Sequence, residues 1–127
     1  MKRGFVICTV RGASEEYKKE LEDFVAKKES EGWIMHLPHR DTNQNARGLD
    51  ICRENFNAIS TADRIFIFYN PDSQGTHFDM GVAFAIAELV RMGEMNGPPL
   101  NIEIVKNIEF GEGKSYARML TEWQKDQ

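Results

Sequence analysis

Arg64-Ile65-Phe66-Ile67-Phe68-Tyr69, followed by Asn70-Pro71-Asp72-Ser73-Gln74-Gly75-Thr76 and then by His77-Phe78-Asp79-Met80-Gly81-Val82-Ala83, is the stretch on which the fold turns. Five of its first six residues are β-branched or aromatic with no polar alternation, which predicts a short strand covered on both faces. The Asn, Pro, Asp, Ser and Gly that follow are turn formers. The next segment has helical spacing and predicts a helix over 77–92. A buried strand, a turn and a helix in that order form half of a β-α-β unit.

The same grammar repeats on both sides. Upstream, Gly4-Phe5-Val6-Ile7-Cys8-Thr9-Val10 is a second all-apolar strand, ending at Arg11-Gly12. Ser14 is placed to cap a helix with Glu15 and Glu16 in its first turn. Tyr17, Leu21, Phe24 and Val25 recur on one face of it until Gly32. Trp33 to Leu37 reads as a short strand, Pro38 to Arg47 as a polar loop, and Leu49, Cys52, Phe56 and Ile59 as the stripe of another helix. Downstream, Leu100 to Val105 alternates like a strand, Asn107 to Phe110 allows one more short strand, and Lys114 to Gln124 reads as a closing helix. The expected architecture is α/β: a Rossmann or flavodoxin-like three-layer sandwich with a four- or five-stranded parallel sheet.

At 127 residues the chain is the usual size of one domain, expected to span 1–127. Its formal charge of −4, with Lys and Arg dispersed among the acids, speaks against a nucleic acid polymer as partner. The longest apolar runs are strand-length, and no signal-peptide core follows Met1-Lys2-Arg3, so a cytoplasmic protein with no membrane partner is expected. The two cysteines, Cys8 and Cys52, have no metal-ligand spacing and read as reduced thiols.

In open parallel sheets ligands bind at the carboxyl ends of strands, near the point where strand order reverses. Two segments converge there: Thr9-Val10-Arg11-Gly12 after the first strand and Ser73 to Gly81 after the third. A hydroxyl and a glycine before a helix start, with its free N–H groups, suit a phosphate or another anion, and Arg11 adds a charged fork. Ser73-Gln74-Gly75 alone is more often a turn and a cap. Asp79, read as first-turn, has a structural alternative in the helix dipole.

Taken together these segments resemble the nucleoside 2-deoxyribosyltransferase family, and within it the 2'-deoxynucleoside 5'-phosphate N-hydrolase branch. The resemblance runs from about Phe5 to Ala87. It rests on Thr9-Val10-Arg11-Gly12-Ala13 after the first strand, on Ala62-Asp63 before Arg64-Ile65-Phe66-Ile67, and on Ser73-Gln74-Gly75 followed by Asp79-Met80-Gly81-Val82-Ala83. It implies cleavage or transfer at the N-glycosidic bond of a nucleoside or nucleoside 5'-monophosphate, with no cofactor and no metal. By the same resemblance Arg11, Gly12, Ser73 and the backbone around Gly75 hold the 5' end, Asp79 stands in the nucleophile position, and a homodimer is expected. The chain departs from the pattern twice: Asp79 replaces a Glu and Asn55 replaces an Asp. Asn exchanges hydrogen bonds but cannot carry a proton in acid–base work.

Four other residues are weighed around this frame. His77 flanks Asp79, His39 in the polar loop is a candidate for base or sugar contact, and Tyr69 lies at a strand end; Thr9 lies at the other strand's exit. His36, on a strand, reads as core. Two further readings stand beside the enzyme. One is a non-catalytic nucleotide-binding or sensing domain, suggested by Asp79 and Asn55. The other is a receiver, disfavoured because Thr9 to Gly12 supplies no acidic pair, or a flavodoxin-like carrier, disfavoured because the sequence shows no strong flavin loop.

Overall fold

The computed structural model describes residues 2–106, 108–109 and 111–127. The apolar run at 64–69 forms a strand, Arg64–Ile67, that is one of four. In chain order the strands are β1 (Arg3–Ile7), β2 (Ile34–His36), β3 (Arg64–Ile67) and β4 (Asn101–Ile104). All pair in parallel, in the spatial order β2-β1-β3-β4. Five helices accompany them: α1 (Glu15–Ser30), α2 (Pro38–Asp41), α3 (Gly48–Ser60), α4 (Gln74–Arg91) and α5 (Tyr116–Asp126). The α/β three-layer expectation is met, with four strands among the described residues.

Successive residues of a strand point to opposite faces, and both faces here are covered. Phe5 and Ile7 of β1, with Ile65 and Ile67 of β3, pack with Ile59 of α3, Met80, Ala83 and Ile86 of α4 and Leu120 of α5. Val6, Cys8, Phe66 and Phe68 point the other way, onto Leu21 and Val25 of α1. Fully burying side chains of this size contributes about 1.5–3 kcal/mol each. Gly4 lies tight against its neighbours' side chains: a Cβ there would lie 2.7 Å from both Met35 Sδ and Phe66 Cε2, so those side chains would have to shift to admit one.

The polar segment 38–47 is not wholly a loop. Pro38 occupies the first helical position and opens the single turn of α2, a place where its missing N–H costs nothing. The short strand expected over Asn107 to Phe110 falls partly outside the described residues, and Ile108 and Glu109 carry no strand structure.

From β1 the chain leaves through α1 on one face and returns in β2. From β2 it crosses through α3 on the other face to β3, on the far side of β1. The reversal of strand order thus falls between β1 and β3, whose carboxyl ends carry Thr9 and Asn70.

Candidate functional site

The two strand exits are tied together. Asn70 Nδ2 donates to Thr9 Oγ1 at 2.9 Å, and Asn70 Oδ1 accepts from the Asp72 N–H at 2.9 Å. The Thr9 N–H reaches the Tyr17 hydroxyl of α1 at 3.4 Å. Beyond Thr9 the chain turns through Gly12 at φ 74°, a conformation that side chains rarely adopt. Arg11 beside it is exposed, with no hydrogen bond or ion pair among the described residues.

Ser73 is the N-cap of α4: its Oγ accepts from the Thr76 N–H at 3.2 Å. The helix therefore begins at Gln74, three residues before the expected His77. Asp79 falls in its second turn, too far along for the dipole role read from the sequence. A Cβ at Gly75 would meet nothing within 4 Å, so the first turn of α4 is open on that side. Thr76 is fully buried, and its hydroxyl has no partner among the described residues.

His77 joins the cap to β3. Its Nδ1 lies 2.7 Å from the Ser73 carbonyl oxygen, which can only accept, so Nδ1 carries the proton. In the neutral ring Nε2 then accepts from the Tyr69 hydroxyl at 3.1 Å. Tyr69 and Tyr116 both meet the imidazole edge to face, with centroids 5.4 and 5.3 Å away. Beside His77 an apolar hollow of about 360 Å³ is lined by His77, Met80, Gly81, Phe84, Tyr116 and Met119.

Asp79 shares the inward face of α4 with Thr76, Met80 and Ala83 and is only 8% exposed. Burial pushes its carboxyl up from the usual carboxylate range to about 7, while a hydrogen bond from Asn55 on α3 acts in the opposite sense. Cys8, at the end of β1, is pushed up to about 12 by burial first and by the Asp79 charge second. Its thiol is neutral at physiological pH, which removes it as a nucleophile.

Asn55 is itself held from behind. Its Oδ1 accepts from the Thr42 hydroxyl at 2.8 Å, and Thr42 Oγ1 lies 2.8 Å from His36 Nε2. His36 stacks on Phe5, rings 5.2 Å apart and 15° from parallel.

The residues read from the sequence thus fall into groups. Asp79 meets Asn55; Tyr69, His77 and Ser73 form a second cluster; Thr9 joins the two strand exits, with Arg11 and Gly12 on the adjoining exposed loop. His39 lies apart from both clusters in its bonding: it sits on α2, and its Nε2 meets Glu22 of α1 at 3.2 Å. His36, read as core, is half-buried and hydrogen-bonded. Thr42 and Asn70 were not singled out in the sequence. Asn70 had a signal, its place at a strand exit; Thr42 had none, because its partners lie 6 and 13 residues away. Among the described residues no group of three His, Cys, Asp or Glu side chains is placed to hold a metal ion, and no helix is long and apolar enough to cross a membrane.

No protein-family model matches the chain, and no curated protein matches it in sequence. Solved structures do match. One is the CMP N-glycosidase BcmB of Clostridium botulinum, at 19% identity and a TM-score of 0.57 over 96% of this chain and 82% of that one. Another is a 2-deoxyribosyltransferase from Leishmania mexicana, at 16% identity and a TM-score of 0.56 over 84% of this chain and 66% of that one. At these identities the likeness is one of fold.

Proposed function

We propose that the chain, acting as one domain over 1–127, cleaves or transfers at the N-glycosidic bond of a (deoxy)nucleoside or nucleoside 5'-monophosphate, with Asp79 as nucleophile. The observation that carries this reading is a buried carboxyl that burial holds near 7, donor-bonded by Asn55, on the helix that starts at the β1–β3 reversal. Strongly shifted carboxyls in such places are candidate reactive groups. The fold shared with a CMP N-glycosidase and a 2-deoxyribosyltransferase supports the substrate class. The finer placement, in the 2'-deoxynucleoside 5'-phosphate N-hydrolase branch, rests on the sequence resemblance alone.

In this mechanism an ionised Asp79 oxygen attacks the anomeric carbon as the bond to the base breaks, through an oxocarbenium-like transition state. The electron pair of the broken bond leaves with the base, which takes a proton from solvent. Water or a second base then takes the sugar from the Asp79 ester. Asn55 holds the carboxylate by donation; it has no proton to supply as an acid. Arg11, Gly12, Ser73 and the open first turn at Gly75 receive the 5' end, and Thr9, Tyr69 and His77 line the approach. His39, bonded to Glu22, would have to leave that carboxylate to touch a base. A homodimer working in the cytoplasm completes the proposal.

Incubation with CMP, deoxynucleoside 5'-monophosphates and free nucleosides, with released base followed by chromatography, tests it. Release by the native chain and its loss in Asp79→Ala is the expected result. A second reading, a nucleotide-binding domain without chemistry, is favoured by one feature: with its carboxyl near 7, Asp79 is about half protonated at neutral pH, and a protonated carboxyl is no nucleophile. Nucleotide binding without base release at pH 8, where Asp79 is ionised, would select that second reading.

A further inference from the structure

We propose that His36 and Thr42 are positioning residues for the candidate site: through a one-way line of hydrogen-bond donors they hold the Asn55 amide with its NH2 group toward the Asp79 carboxyl. The inference rests on the reading of Asp79 as the reacting carboxylate and extends it to two residues that touch no substrate.

The direction of the line follows from what each atom can do. An amide oxygen only accepts, so the Thr42 hydroxyl proton is committed to Asn55 Oδ1 at 2.8 Å. That leaves Thr42 Oγ1 an acceptor toward His36 Nε2 at 2.8 Å, and Nε2 must carry the proton. With Oδ1 taken by Thr42, the Asn55 NH2 is the group left for Asp79, in keeping with an Asn55 hydrogen bond that favours the charged carboxylate. Each link gives a proton toward the carboxyl, and none accepts one from it. If the amide turned over, its NH2 would donate to Thr42 Oγ1 and send the hydroxyl proton to His36 Nε2, and its oxygen would face the ionised carboxylate, so the opposition falls on the Asp79 contact.

Packing holds the line in place. Thr42 is 4% exposed and Asn55 8%. The His36 ring is clamped by its stack on Phe5, its partner across the β1–β2 pairing. The segment between His36 and Thr42 is fixed by Asp41, whose Oδ2 accepts from the Leu37 N–H at 2.8 Å and from Arg40 at 2.8 Å. The charged groups facing His36 are Asp41 and Arg40 of α2 and Glu54 of α3; the titratable group facing Asp79 from β1 is Cys8. Burial lowers the His36 pKa, so the ring is neutral at pH 7 with one proton to place, and Thr42 places it on Nε2.

The test compares Thr42→Val, which keeps the shape and loses the hydroxyl, with Thr42→Ser, which restores it. Two readouts are taken on each folded variant: the titration of the Asp79 carboxyl by carbon NMR, and kcat and KM for base release from the best nucleotide. Thr42→Val is expected to raise the Asp79 midpoint by about one pH unit, because a freed amide no longer donates steadily to the charged form. It is also expected to lower kcat about tenfold at pH 7 with KM little changed, and Thr42→Ser returns both to near the native values. An Asp79 midpoint in Thr42→Val equal to the native one overturns the positioning role, whatever the turnover. A native chain that releases no base, with the Asp79 midpoint still moving in Thr42→Val, supports the donor line and rejects the glycosidic reading, so the two failures are distinct.

Discussion

Two histidines frame the candidate site, and their rings are bonded in opposite senses. His77 on α4 gives its Nδ1 proton to the Ser73 carbonyl and accepts at Nε2 from Tyr69. His36 on β2 gives its Nε2 proton to Thr42, which gives its own to Asn55. Each tautomer is decided by an oxygen that can only accept: the Ser73 carbonyl, bonded directly to His77, and Asn55 Oδ1, one partner beyond Thr42 for His36. The His77 cluster closes on the backbone of the helix cap and is half open to solvent. The His36 line runs from a half-buried ring through buried Thr42 and Asn55 toward a buried carboxyl. The first arrangement caps the start of α4; the second is the one proposed to steady the carboxylate form of Asp79 against the burial that raises its pKa. Two clusters of similar composition therefore call for different experiments.

The comparison breaks most visibly at Asp79. Asp79→Asn keeps the shape and removes the charge, and base release is expected to fall on the order of a thousandfold or more, measured at saturating nucleotide. The same variant has an opposite effect on stability. Because the native carboxyl is raised to about 7, the folded chain binds its proton more tightly than the unfolded one between the ordinary value of 3.8 and about 7. Stability falls as pH rises through that window, and the contribution of the bound proton is fully present only below it. Asp79→Asn is therefore expected to gain over the native chain at pH 8, by up to about 4 kcal/mol, and to lose that gain near pH 4; urea titration at both pH values reads the difference.

The His77 cluster answers with smaller and differently shaped effects. Ser73→Ala removes the cap that satisfies the Thr76 N–H and is expected to cost about 1 kcal/mol at either pH. Tyr69→Phe leaves His77 Nε2 to water and is expected to cost about 0.5–1 kcal/mol, with no change in the Asp79 midpoint. A shift of that midpoint in Tyr69→Phe would mean that the two clusters are one. The smallest effect is a null: Cys8, its thiol pushed up to about 12, is expected to stay unalkylated at pH 8 in the folded chain, as read by peptide mass.

The architecture was readable because strand-length apolar runs and helical stripes are local patterns. Phe5 to Cys8 and Ile65 to Phe68 announce strands covered on both faces without reference to the rest of the chain. The start of α4 was misplaced by three residues because Ser73-Gln74-Gly75 has the composition of a turn, and it takes the hydrogen bonds from the Thr76 and His77 N–H groups to Ser73 to show that the helix has begun. That error put Asp79 in the first turn and offered a dipole role that the second turn does not allow. Asp79 and Asn55 were found through resemblance and not through spacing, since 24 positions separate them and no local rule joins α3 to α4. His36 and Thr42 escaped because a hydrogen-bonded histidine and a packed one look alike in sequence. Arg11 and Gly12 lie where the loop was expected, while His39 is engaged by Glu22.

The account stands on Asp79 forming a bond to the sugar, and rapid quenching during turnover addresses that bond directly. With a nucleotide slowed by fluorine at the sugar C2, the peptide containing Asp79 is predicted to gain the mass of the sugar phosphate, or of the sugar alone if a nucleoside is used. Accumulation of free base while that peptide keeps its native mass would contradict the account.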